Sequence, residues 1–236
     1  MSGWAKKRFW KEASIEESGE GFGILLDGRP VKTPAKAPLT LPTRPMAEAV
    51  AAEWAAQEEK IDPTTMPVTR SANAAIDKVT IQYGEVADML AEYGGTDLLC
   101  YRATAPEALI ARQAESWDPI LDWAAQEFGA RLVAVAGVMH HAQDASALEK
   151  LRTEVHKLSV FEMAAFHDLV GISGSLILGF AALRELHDAD EIWRLSRVDE
   201  QWQEEQWGVD EDASKEARVK YEAFLHANRF YKLANI

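Results

Sequence analysis

The sequence predicts an α+β protein: a small N-terminal α/β unit with antiparallel hairpins, followed by a larger all-α C-terminal part. Three observations predict it. The first 42 residues alternate short apolar runs with glycine and proline turn signals. From Thr43 onward, apolar residues recur every three or four positions, the spacing of one helix face. The last ~95 residues hold that period throughout. We divide the chain at residue 140, with 1–140 as the N-terminal α/β domain and 141–236 as the C-terminal helical bundle.

Gly19, Gly21 and Gly23 surround a turn between the runs 9–17 and 22–27. Asp27-Gly28 then offers a hairpin turn into 29–33, since both residues tolerate positive φ. Pro34, Pro38 and Pro42 punctuate the next segment, with Leu39-Thr40-Leu41 as a short strand. Thr43 is suited to cap a helix. Met46, Val50 and Trp54 share one face of that helix, which should end near Lys60, before Asp62-Pro63. Trp54 should therefore pack the helix against the β unit. Val68, Ala72, Ile76 and Val79 make a second stripe; Val86, Met89, Leu90 and Tyr93 make a third, closed by Gly94-Gly95. Residues 98–102 and 131–135 read as short strands between helices.

Ile110, Ala114, Trp117, Leu121, Ala124 and Phe128 form the clearest stripe, with Trp117 at its centre. Asp118-Pro119 interrupts it, so that helix either kinks or restarts there. Further stripes lie at Leu148, Leu151, Val155 and Leu158; through 161–183; at Ile192, Leu195, Val198 and Trp202; and at Ala217, Tyr221, Phe224, Asn228 and Tyr231.

At 236 residues, with 47% hydrophobic and 27% charged content, the chain can bury a full core without a disulfide or metal staple. Its single cysteine, Cys100, excludes an internal disulfide and any zinc site built on several cysteines. One cysteine and an N-terminus lacking the apolar core of a signal peptide fit a cytoplasm. The apolar run Leu169 to Leu183 is shorter than the ~20 residues that span a bilayer. A net charge of −13 repels phosphate backbones and anionic lipid, so neither nucleic acid nor membrane insertion is expected. We expect a monomer.

Signatures of catalysis are missing. There is no G-x-G-x-x-G, Walker A loop, nucleophile elbow or H-E-x-x-H. Gly171-Ile172-Ser173-Gly174-Ser175 ends in Ser where an elbow needs Gly, and lies in the most apolar helical segment. His140-His141 with Asp144 is the best metal candidate, although no third ligand has the usual spacing and solvated loop histidines are the commoner case. His167-Asp168 could be a base with its orienter, without a nucleophile nearby in sequence. Cys100 reads as a small buried apolar residue. A small metal-dependent or histidine-based hydrolase is thus an alternative reading, as is a structural adaptor.

Two features stand out. There are eight tryptophans, at 4, 10, 54, 117, 123, 193, 202 and 207. From Asp199 to Asp212 there are seven acids and no Lys or Arg, interleaved with Trp202 and Trp207. A solvated helix face usually mixes signs and lacks tryptophan, whereas acid beside aromatic fits a surface that receives a basic or amide-bearing partner.

Several segments, taken in order, resemble a known family. They are Arg8-Phe9-Trp10-Lys11, the 26–34 hairpin, Leu41-Pro42-Thr43, Ala52-Glu53-Trp54 and 67–73. The run 97–102, Trp117-Asp118-Pro119 through Trp123, 196–203 and Gln206-Trp207-Gly208 complete the set. The set resembles the assembly chaperones of the soluble (F-one) sector of ATP synthase, the ATP-twelve family. That resemblance implies a small N-terminal α/β unit, a C-terminal orthogonal helical bundle, and a non-enzymatic chaperone without nucleotide, metal or other cofactor. It implies that the partner is the unassembled ATP synthase alpha subunit, held against aggregation. It ties function to the helix carrying the acid-aromatic element, whose acidic start corresponds here to Asp199 and Glu200. The chain resembles bacterial, cytoplasmic members more than mitochondrial-matrix ones. We therefore expect Asp199, Glu200, Trp202, Gln206 and Trp207 to bind the partner. Reversing Asp199 or Glu200 to Lys should leave stability nearly unchanged.

Overall fold

A computed structural model describes residues 7–235; Trp4 lies outside the described residues. Strands β1 (Ala13–Ser18) and β2 (Gly21–Leu26) form an antiparallel hairpin, in register from Ala13 opposite Leu26 to Ser18 opposite Gly21. Asp27-Gly28 turns the chain into β3 (Arg29–Pro30), with φ of 48° and 77°. Both values lie in the left-handed region that this two-residue turn requires, where glycine carries no steric cost. β4 (Thr40–Leu41) pairs with the other half of β2, so β2 is central. The first strand starts later than the apolar run 9–17 suggests, because Trp10 is instead buried in the core.

Thr43 caps α1 (Arg44–Ala55), its hydroxyl accepting from the Met46 N–H at 3.2 Å. The helix ends five residues before Lys60. Buried Gln57 organises a turn there, accepting from the Asp62 N–H and donating to Glu53 O and the Thr65 hydroxyl. The carboxylate of Glu53 then caps α2 (Pro67–Ala74), accepting from the N–H groups of Val68 and Thr69 at 2.7 and 2.8 Å. A π-helical turn over Ala75–Val79 comes next, and it shifts the stripe so that Ala75 and Val79 are buried while Ile76 is only half-buried.

Contacts group the chain into two compact units. The first comprises the described residues up to Tyr83 with 159–165 and 229–235; the second comprises 84–158 and 166–228. The sequence boundary at residue 140 falls inside the second unit. The core of the first unit gathers Ile24, Leu26, Leu39 and Leu41 from the sheet, Met46 and Val50 from α1, Val68 and Ala72 from α2, and Phe230. Trp54 joins it from the edge, its ring edge-on to Trp10 at 5.3 Å and only partly buried.

The second unit is mainly helical. α3 (Tyr83–Glu92) buries Ala87, Leu90 and Ala91 but leaves Met89 exposed, contrary to the stripe read from sequence. α4 (Glu107–Glu127) runs unbroken through Pro119, which lies on its exposed side. The strands read at 98–102 and 131–135 shrink to a two-residue parallel pair, β5 (Tyr101–Arg102) with β6 (Val135–Ala136), because Leu98–Cys100 forms a 3-10 turn capped by Asp97. α5 (Ala145–Val155) begins at Asp144, whose carboxylate accepts from the Ala147 N–H. The apolar segment 161–183 is two helices, α6 (Val160–Ser173) and α7 (Leu176–Leu183). They break at Gly174 because Asp97 enters there. Its buried carboxylate accepts from the Ser175 hydroxyl and the Leu99 and Ile177 N–H groups. α8 (Ala189–Leu195), α9 (Val198–Trp207) and α10 (Glu211–Asn235) complete the chain. Ile192, Leu195 and Val198 are buried as read, but they belong to two helices. Trp117 is fully buried and its indole N–H donates to Leu195 O at 2.8 Å.

Candidate partner-binding site

α9 carries the five sequence-predicted site residues, but not on one face. Consecutive helix positions differ by ~100°, so Asp199 and Glu200 point in different directions. Asp199 and Trp202 turn toward α4. Glu200 and Trp207 line a groove between α9 and the start of α10, of about 310 Å³, with Arg197, Gln203, Glu204, Asp210, Glu216 and Lys220. Gln206 is exposed.

The seam between α4 and α9 is polar and satisfied. Gln113, 1% exposed, accepts from the Ala103 N–H at 2.8 Å and donates to Asp199 Oδ1 at 2.6 Å. Arg112 grips Glu205 with two hydrogen bonds of 2.9 and 2.8 Å, and its guanidinium sits 4.9 Å from the Trp202 ring centre. That pairing holds the Glu205 carboxyl below the usual range. The α9 residues in this seam, Asp199, Trp202 and Glu205, recur every three positions along one helix edge.

The groove side is held by Arg197, which donates to Glu200 at 2.9 Å and lies 4.0 Å from Glu204. Bases outside the acidic run therefore answer several of its charges. Glu200 and Glu204 face one cation, so the like-charge strain expected between them is offset. Gly208 ends α9 at φ 89°, a conformation costly for a residue with Cβ. Asp210 then caps the start of α10, accepting from the Asp212 and Ala213 N–H groups, which lower its carboxyl pKa, the Ala213 bond most. Trp207 stands at the groove lip with 79% of its surface exposed.

One expectation changes. Asp199 is half-buried and bonded to a buried amide, so reversing it to Lys removes a partner that Gln113 needs. The stability cost is no longer close to zero. Sequence reading also missed Arg112 and Gln113. The one signal for them was a polar residue one turn before Trp117, on the most apolar edge of α4.

The other candidates are dispersed. His140 and His141 are exposed, and Asp144 is occupied as a helix cap. Among the described residues no three His, Cys, Asp or Glu side chains come close enough to hold a metal ion. His167 lies 3.0 Å from Asp168 on α6, and that hydrogen bond raises the imidazole pKa. Burial pushes the Cys100 thiol up to about 12, far from a thiolate nucleophile. Among the described residues no helix is long and apolar enough to cross a membrane.

A family model described as ATP12 chaperone protein matches residues 7–125. The fold matches the crystal structure of Atp12 from Paracoccus denitrificans with a TM-score of 0.95, at 51% identity over 97% of this chain and 98% of that one. An aspartate-to-lysine mutant of the P. denitrificans protein matches with a TM-score of 0.96 and 50% identity, over 99% of this chain and 100% of that one. The mitochondrial protein atp12 of Schizosaccharomyces pombe is 26% identical over 219 residues, 88% of this chain and 75% of the relative. The fold is the one the sequence predicts, a small antiparallel sheet region with a larger helical part, and the family is a chaperone family, not an enzyme class. The matched segment covers 119 of 236 residues and the structural likeness runs nearly end to end, so the chain belongs to the ATP12 chaperone family.

Proposed function

We propose that this protein is an assembly chaperone for ATP synthase that holds the unassembled alpha subunit and prevents its aggregation. The α9 surface is the contact: Asp199 and Glu200 meet basic or amide groups of the client, while Trp202, Gln206 and Trp207 shape the site. The observation that carries this reading is Trp207, a large apolar side chain left exposed beside a groove walled by carboxylates. A solitary subunit of a ring exposes an apolar interface and tends to associate wrongly. An aromatic anchor with a charged rim binds such a surface reversibly, the charges chiefly setting rate and specificity. The chaperone works as a cytoplasmic monomer without cofactor or catalysis.

The test mixes the full-length protein with purified alpha subunit and follows light scattering. Suppressed aggregation together with recovery of a one-to-one complex supports the reading. Unchanged aggregation at low salt, where charge attraction is strongest, overturns it.

A further inference from the structure

We propose that Gln113 is a positioning residue for client binding: it anchors one oxygen of Asp199 to α4 and so presents the other to the client. The proposal rests on the reading of Asp199 as a client contact. The orientation of the Gln113 amide is decided by its neighbours. The Ala103 N–H can only donate, so the amide oxygen faces it, and the amide nitrogen faces the Asp199 carboxylate, which can only accept. Flipping the amide would leave both partners unpaired in a buried site.

The second oxygen, Asp199 Oδ2, has no hydrogen-bond partner among the described residues. The two arginines nearest in the chain to this pair are committed elsewhere: Arg112, next to Gln113, to Glu205, and Arg197, two residues before Asp199, to Glu200. A clip between two helices needs only a neutral acceptor. A carboxylate with one oxygen pinned and one unpaired keeps a charge that the fold does not use. That free oxygen, at the first turn of α9 and directed by Gln113, suits a lysine, arginine or amide donor on the client.

The test measures binding of purified alpha subunit to full-length variants, with thermal unfolding followed in parallel. Gln113→Glu keeps the shape and the Ala103 bond but places a carboxyl against Asp199. Two carboxyls so close share a proton, which raises one pKa. At mildly acidic pH the shared proton restores the bond; at alkaline pH the pair repels and Asp199 turns away. We expect near-parent binding at the acidic end and a loss of about tenfold at the alkaline end, where the parent binds alike at both. Parent-like binding across the range overturns the proposal. Asp199→Asn keeps an acceptor for Gln113 while removing the charge; we expect parent-like unfolding and about tenfold weaker binding. Parent-like binding here overturns it too.

The exchange Gln113→Glu with Asp199→Asn rebuilds the hydrogen bond with donor and acceptor swapped. A role as a mere helix clip predicts that this exchange restores binding, which would overturn the proposal; we expect stability to recover and binding to stay low. Should Gln113→Glu not fold, Gln113→Met keeps the volume and deletes the donor. Loss of binding then supports the positioning role and parent-like binding overturns it. A parent that fails to bind the alpha subunit overturns the function itself, whereas a binding parent with an indifferent Gln113 series overturns only the positioning.

Discussion

α7 and α9 are both short helices of the second unit that meet a buried or half-buried aspartate at their first turn, yet the two aspartates are used differently. All eight residues of α7 are buried, and Asp97 at its start is fully enclosed. In α9 only Val198 is buried, and Asp199 is half-exposed. Asp97 accepts from a hydroxyl and at least two backbone N–H groups, so its whole bonding capacity serves the fold. Asp199 uses one oxygen for the fold. The difference shows that the same residue type, at a helix N-terminus in each case, can commit its whole acceptor capacity to the fold or only part of it; on the proposed function, the uncommitted part of Asp199 is what meets the client.

Asp97→Ala should therefore have the largest effect. It orphans the Ser175 hydroxyl and the Leu99 and Ile177 N–H groups in the core; at the lower end of the cost of an unpaired buried group, the total is about 3–5 kcal/mol in chemical denaturation. A pH series sharpens the contrast. Burial pushes the Asp97 carboxyl up to about 6, above its ordinary value near 4. The folded protein thus holds the proton more tightly than the unfolded chain. Its contribution is complete below the ordinary value and is lost as pH rises through about 6. The stability advantage of the parent over Asp97→Asn should grow as pH falls through that window. An advantage that shrinks instead would mean that Asp97 stays ionised in the fold.

The scaffold offers a second large effect at Trp54. Full burial would have implied about 3–5 kcal/mol for Trp54→Ala. Partial burial and one edge-on contact with Trp10 lower the expectation to about 2–4 kcal/mol. Loss of client holding should then track the unfolded fraction at each temperature. A variant that melts like the parent but fails to bind would move Trp54 from the scaffold to the contact surface.

Much of this scaffold was legible in sequence because its joints are local or use residues with one strong habit. Asp27-Gly28, Thr43 and Gly208 sit where their backbone preferences place them. Ala52-Glu53-Trp54 and the run from Pro67 are joined because Glu53 caps α2, a bond that the sequence did not reveal. What escaped was set by long-range polar contacts. The break at Gly174 needs Asp97, 77 positions earlier. The α4–α9 seam needs Gln113 to meet Asp199 across 86 positions. Periodicity reports which side of a helix is apolar and says nothing of which distant polar group interrupts it. The five α9 residues do lie on one helix, but a run of interleaved acids and aromatics conceals that Glu200 and Asp199 face different neighbours.

Trp202 lies between the two regimes. Half-buried under Arg112, it contributes to the seam and to the displayed surface. Trp202→Ala should cost about 1–2 kcal/mol and weaken client holding as well. Trp202→Phe keeps the ring under the guanidinium, so recovery of stability without recovery of binding would assign the indole N–H to the client.

The smallest expected change in stability comes from Trp207, and it decides whether α9 is a display helix at all. Its side chain is the most exposed tryptophan described and touches the groove only at its lip. Removing an exposed side chain away from caps and buried bonds changes stability by about 0.5 kcal/mol or less. Trp207→Ala should thus unfold like the parent in heat and denaturant. An aromatic anchor desolvated by a partner carries far more, often about 2 kcal/mol or above, so client binding should fall by tenfold or more, read mainly in dissociation. Raising salt should leave that loss intact, since the contact is apolar, while it erases much of the difference made by Glu200→Lys. Equal binding by Trp207→Ala and the parent would leave α9 with no exposed anchor, and the contrast with α7 would shrink to a difference in burial alone.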